Sequence, residues 1–168
     1  MTAGRVTASA PAERDIELVM SFLNTLDVED GVDVLAERGG WSSWVRDRDL
    51  GAPGAAEQAA RVRSALRGSV GDHLARPSGP TGLSTTGELT VHIREHGPVL
   101  VAHTAIGEIL AAASRLSTLG MWDRVKICPA DSCRWAFYDR SRNRSRTWCS
   151  MQVCGNREKA RIWREKHA

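Results

Sequence analysis

Apolar residues recur at helical spacing in three stretches of the chain and alternate in a fourth. Ile16, Val19, Met20, Leu23 and Leu26 fall three or four apart, which predicts a helix from near Pro11 to the Asp30-Gly31 break. Ala59, Val62, Leu66, Val70 and Leu74 predict the longest helix, Ala55–Ala75, although Gly68 and Gly71 weaken its second half. Arg61, Arg63 and Arg67 lie mostly off that stripe and are expected on a solvated face. Val101, Ala105, Ile109, Ala112, Leu116 and Leu119 predict a helix over His103–Leu119, with Gly120 as its C-terminal stop. Shorter helices are expected over Val32–Arg38, ended by Gly39-Gly40, and over Trp41–Val45. Trp41 and Trp44 share a face there and are expected to anchor the core, before a turn at Leu50–Gly54. Leu89–Ile93 alternates, Glu95–Pro98 turns and Val99–Val101 can return, which predicts a β-hairpin. Met1–Ala10 should be frayed, and Arg76–Gly87, with Pro77, Gly79, Pro80 and Gly82, should be a loop. The expected class is mainly α: an irregular helical array with one hairpin over residues 1–120, followed by a different module over 121–168.

Composition changes this picture little, and charge changes it more. A chain of 168 residues, 42% hydrophobic and 26% charged, suits one soluble unit or a domain with a small appended module. No apolar run approaches the ~20 residues that cross a membrane. Met1–Arg14 has no apolar signal-like stretch, so the cytoplasm is the expected compartment. Residues 121–168 hold twelve Lys/Arg against five Asp/Glu, whereas residues 1–120 hold eleven against fifteen. A basic end on an acidic body is the footprint expected of a polyanion-binding module.

All four cysteines lie in that basic end: Cys128 and Cys133, then Cys149 and Cys154, two C-x4-C pairs with fifteen residues between them. Two close pairs across a hairpin-sized insert can bring four thiolates to one point, and Zn²⁺ accepts a tetrahedral sulfur shell. The alternatives are two disulfides, which need an oxidising compartment, or four unrelated thiols, which would not be expected to form two equal pairs. One structural Zn²⁺ is the expected cofactor. A catalytic zinc keeps one position open for water, and four thiolates leave none.

Between the pairs, Arg134–Tyr138 reads as a strand with Trp135 and Phe137 on one side and Ala136 and Tyr138 on the other. Its aromatics can cover the zinc site, dock on the body or stack on unpaired bases. Arg140, Arg142, Arg144 and Arg146 then occupy every second position, and an extended chain would align them about 6.6 Å apart, a row suited to phosphates. A tight turn would break that row and free some arginines to pair with the acidic body. Past Cys154, Gly155 should let the chain turn and Asn156 should cap a basic helix over Arg157–His167. Arg157, Arg161 and Arg164 share one of its faces, with Lys159 beside them, while Glu158 and Glu165 can pair with Arg161. Such a helix can enter a groove, or use Ile162 and Trp163 to dock on the body.

The run Phe137–Asn143, the stretch Trp148-Cys149-Ser150-Met151 and the tetrapeptide Cys154-Gly155-Asn156-Arg157 resemble the CGNR zinc-finger family of bacterial proteins, over roughly Cys128–Lys159. The resemblance implies a nucleic-acid-binding, zinc-ribbon-like finger ending in a basic helix, with DNA favoured over RNA and a role in transcription regulation. More loosely, Phe22–Leu26 with Gly31, Asp33, Leu35 and Trp44 resembles the ABATE domain that usually accompanies that finger and is described as a stress-induced regulator. Asn24 and Thr25 are then candidates for a ligand contact or for local backbone satisfaction. A homodimer and a small-molecule effector on the body stay open, and a protein-interaction module is the competing reading. An enzyme is not expected. The chain has no G-x-S-x-G and no phosphate-cradling glycine loop, and its five histidines have no evident carboxylate partner.

Overall fold

A computed structural model describes residues 10–75 and 89–167. The expected loop Arg76–Gly87 lies outside the described residues, as does the expected frayed start apart from Ala10, which opens the first helix.

Helix α1 (Ala10–Leu23) buries Ile16, Val19, Phe22 and Leu23, while Leu26 lies beyond it. The expected helix over Val32–Arg38 does not form. Leu26–Asp27 (β1) instead pairs antiparallel with Val32–Asp33 (β2), Leu26 opposite Asp33. The reason is local competition by short carboxylates. Asp27 accepts the Glu29 and Asp30 amides, and Asp33 accepts the Leu35 amide at 3.0 Å.

Helix α2 (Gly40–Arg46) stacks Trp41 on Trp44, with ring centroids 5.4 Å apart, and both rings pack against Phe22. Trp41 Nε1 donates to the Pro53 carbonyl at 2.8 Å, so the indole is buried with its polar atom satisfied. Helix α3 (Ala56–Ser69) is shorter than expected: the chain leaves it at Val70 and turns at Gly71, φ +94. Its arginines overturn the solvated-face expectation, because Arg63 and Arg67 are buried while Arg61 is exposed.

Strands β3 (Leu89–Arg94) and β4 (Gly97–Ala102) form the expected hairpin, with Val91 opposite Leu100. Thr104 then caps α4 (Ala105–Thr118), its hydroxyl accepting the Gly107 amide at 3.0 Å. Ile106, Ile109, Ala112 and Leu116 pack this helix against α1. Gly120, φ +65, ends it as the sequence predicts.

A third hairpin joins β5 (Val125–Ile127) to β6 (Ala136–Tyr138), so the described residues hold three small hairpins where one was expected. The two faces of this hairpin divide its duties. Val125, Ile127, Ala136 and Tyr138 join the core of the body, whereas Phe137 joins the cysteines. The C-terminal module is therefore packed on the helical body, as its lack of a flexible linker predicts. Trp135 and Phe137 do not share one environment: Phe137 is buried and Trp135 is 37% exposed. Helix α5 (Asn156–His167) closes the chain and buries none of its residues. The five helices of the described residues make the protein roughly, not strictly, a helical one. No described helix is long and apolar enough to cross a membrane.

Candidate metal centre and nucleic-acid interface

Each half of the cysteine cluster is set by its own turn. The Cys133 and Arg134 amides both donate to the Ala130 carbonyl, and the Cys128 amide donates to Trp135 across the β5–β6 ladder. This folds Cys128–Cys133 into a knuckle. Of the second pair, Cys154 lies on a turn of π-helix, Met151–Gly155, and Cys149 directly precedes Ser150, whose Oγ caps that turn by accepting the Val153 amide at 3.3 Å. Asn156 is already helical and is not the cap the sequence suggested; its side chain donates back to Gln152 O at 3.0 Å. Gly155 serves close packing more than turning. A Cβ there would meet Met151 Sδ at 2.5 Å and Trp148 Cδ1 at 3.2 Å.

The four Sγ atoms of Cys128, Cys133, Cys149 and Cys154 lie within 4.8 Å of one another. Cys133 and Cys149 are 3.5 Å apart and Cys149 and Cys154 are 3.6 Å apart. A disulfide needs about 2.0 Å, so these are separate thiols. A tetrahedral zinc–thiolate shell, with Zn–S near 2.3 Å, places its sulfurs roughly 3.8 Å apart, and the cluster fits it with no other ligand type included. Burial, with the neighbouring thiols, pushes Cys149 well up, and burial pushes Cys154 up to about 11. Burial opposes ionisation of Cys128 too, but amide donors outweigh it and hold that thiol below its ordinary value. Four thiolates cannot share this space without a cation to offset their charge.

Of the two arrangements open to the alternating arginines, the structure shows the tight turn and not the aligned row. Residues 139–146 wind into a tight loop around Asp139, a fully buried carboxylate. Asp139 accepts the Ser141 amide at 2.8 Å, the Arg146 amide at 2.9 Å and Lys126 Nζ at 2.7 Å. Burial opposes that charge, but Lys126 and the amides outweigh it and hold the carboxyl well below the usual carboxylate range. Just before β5, Arg124 grips the Asp139 and Ser141 carbonyls, and from β5 Lys126 grips those of Arg144 and Arg146. With φ +53 at Arg144, the loop cannot run straight.

The four arginines consequently take different partners. Arg140 pairs with Glu13 on α1. Arg146 donates to the Trp148 and Cys149 carbonyls and lies 4.9 Å above the Phe137 ring, which ties the loop to the thiol centre. Arg144 reaches Asp123 at 3.5 Å, and Arg142 has no ion pair among the described residues. On α5, Arg161 is held by Glu158 and Glu165, as expected, and Arg157 pairs with Glu29 at 2.8 Å. Lys159 and Arg164 have no ion pair among the described residues. Ile162 and Trp163 are exposed, Trp163 by 62%, so they do not dock the helix on the body.

Two residues singled out in the sequence, Asn24 and Thr25, and several with no site role expected of them build this region. Asn24 clamps the Ala136 backbone from both sides, Nδ2 to O at 2.9 Å and N to Oδ1 at 2.8 Å. Thr25 donates to Phe22 O and accepts from Arg63. Both residues therefore satisfy structure, the second of the two roles open to them. Asp72, Arg67, Arg124, Lys126 and Asp139 are equally structural. Only Asp139 carried a local signal, an Asp two residues before Ser141, as in an Asx turn.

Residues 124–167 match a family model described as the CGNR zinc finger, which covers every residue of the centre and the loop. No curated protein matches the chain.

Proposed function

We propose that the chain is a zinc-dependent nucleic-acid-binding protein, a DNA-binding regulator in which Cys128, Cys133, Cys149 and Cys154 hold one structural Zn²⁺. The observation that carries this reading is the coincidence of a four-thiol cluster with an exposed basic surface built directly on it. The zinc would supply only rigidity, since four thiolates leave no open position for chemistry. Asp139, Lys126 and Arg124 fix the backbone of the loop, so the Arg142 and Arg144 side chains are offered outward at little further entropic cost. Helix α5 offers Lys159 and Arg164 on an element started by Cys154.

The stress-regulator role rests only on the looser likeness of residues 22–44 to the ABATE domain. An effector reading rests on an open cleft of ≈ 850 Å³ lined by parts of α1, α4 and β4, with Arg14, Arg48 and Arg115 and the carboxylates Asp15, Glu17, Asp49 and Glu108 on its walls and Arg115 already paired with Asp15. Two observations keep other partners in view. Exposed Trp135 and Trp163 suit stacking on unpaired bases, which favours single-stranded RNA. The pairs Arg140–Glu13 and Arg157–Glu29 spend part of the basic charge on the body, which favours a protein-interaction module.

Changing Arg142 and Arg144 together to Ala tests the loop as the nucleic-acid-binding surface. Each lost phosphate contact lowers the slope of log affinity against log salt by roughly 0.9 on duplex DNA or roughly 0.7 on a single strand. The double variant should flatten the slope by about one to two units and weaken all sequences alike, with zinc content unchanged. An unchanged slope removes the loop from the interface and leaves α5, through Lys159 and Arg164, as the binding element.

A further inference from the structure

The knuckle that carries Cys133 is held from the body by a buried ionic cluster. Asp72, just past α3, and Arg67 within it are fully buried. Arg67 Nε donates to Asp72 at 2.7 Å, Nη1 to Leu23 O at 2.9 Å and Nη2 to Arg134 O at 2.7 Å. The other Asp72 oxygen receives the Arg134 guanidinium, with Nε at 3.1 Å. Arg134 directly follows Cys133 and has φ +51, a conformation that needs support in a residue other than glycine. Both the side chain and the carbonyl of Arg134 are thus fixed by α3 and its C-terminal turn. Two residues further on, Asn24 fixes Ala136.

We infer that the metal site is a composite of body and finger, with Asp72, Arg67 and Arg134 acting as positioning residues for the Cys128–Cys133 knuckle. The C-terminal residues alone would supply the four thiols but not their geometry. The inference rests on the zinc reading of the thiol cluster. Outer groups that orient metal ligands typically matter by about 10- to 100-fold in metal affinity. Coupling of this kind is reciprocal, so metal binding also steadies the α3 end of the body.

The decisive variant is Arg134→Asn in the full chain. Asparagine tolerates positive φ, and the remaining Arg67–Asp72 pair is charge-balanced, so the body keeps its fold. Zinc affinity is read by competition with a chelating dye, and cobalt substitution reports the sulfur shell by its absorption bands. Stoichiometric zinc binding by the parent chain tests the zinc reading itself. The difference between parent and variant tests only the coupling. The expected result is zinc binding weakened by about 10- to 100-fold with the helical signal retained, and a smaller zinc-induced rise in the unfolding temperature. A merely structural role would lower the unfolding temperature of the metal-free chain and leave the zinc dissociation constant within about twofold; that result would overturn the inference.

Discussion

Cys149→Ala should abolish stoichiometric zinc binding and release the chain beyond Arg146, while α1, α3 and α4 keep their helical signal. The expected effect is large because zinc supplies a small module with most of its folding free energy, about 10–16 kcal/mol in isolated fingers. Among the described residues α5 buries nothing, and its start is positioned by Cys154. The hairpin β5–β6 should survive on the body, because Val125 and Ala136 belong to the core formed by α1 and α4. Limited proteolysis with metal analysis checks this. New cleavage sites should fall beyond Arg146. Loss of all helical signal would contradict a body that stands without the metal.

Asp72→Asn should destabilise the body itself. It leaves Arg67 and Arg134 facing each other with no countercharge, and breaking a buried pair in this way costs about 3–5 kcal/mol. Burial opposes the Asp72 charge, but the two guanidinium groups outweigh it and hold its carboxyl below the ordinary value. A carboxyl depressed by folding contributes stability that is fully present above its unfolded pKa, roughly 3.9, and is lost as the pH falls from that value through the lower folded one. The variant should therefore be much weaker than the parent near pH 7, and its stability should fall less steeply on acidification. Urea unfolding with zinc in excess, from pH 7 to pH 3, measures both. A loss under about 1 kcal/mol at pH 7 would show that the cluster is not the anchor described.

What the sequence revealed, and what it hid, follows from the range of the interactions. Helices α1 and α4 were legible because their cores repeat every three or four residues, and Trp41 and Trp44 because they share a helical face. The cysteines were legible because two equal pairs have few other uses. Arg63 and Arg67 were misread as solvated, since the partners that make burial acceptable, Asp33, Asp72 and the Arg134 carbonyl, lie elsewhere in the chain. Val32–Arg38 was misread as helix because Asp33 bonds its own backbone and Arg63 together. The alternating arginines suggested an extended row, yet Asp139 and Lys126 wind the same residues into a loop. Residue type showed which charges were present, and the buried carboxylate decided where they point.

The proposed function requires zinc to build a surface that binds nucleic acid. The most direct measurement is the affinity of the full chain for a labelled duplex at about 50 mM salt, with zinc bound, after chelation, and after zinc is restored. Binding should be present, lost and regained in step with one zinc per chain, and should weaken steeply towards 200 mM salt, as phosphate contacts require. Equal binding with and without zinc, or no binding by the zinc-loaded protein at the lower salt, would contradict it.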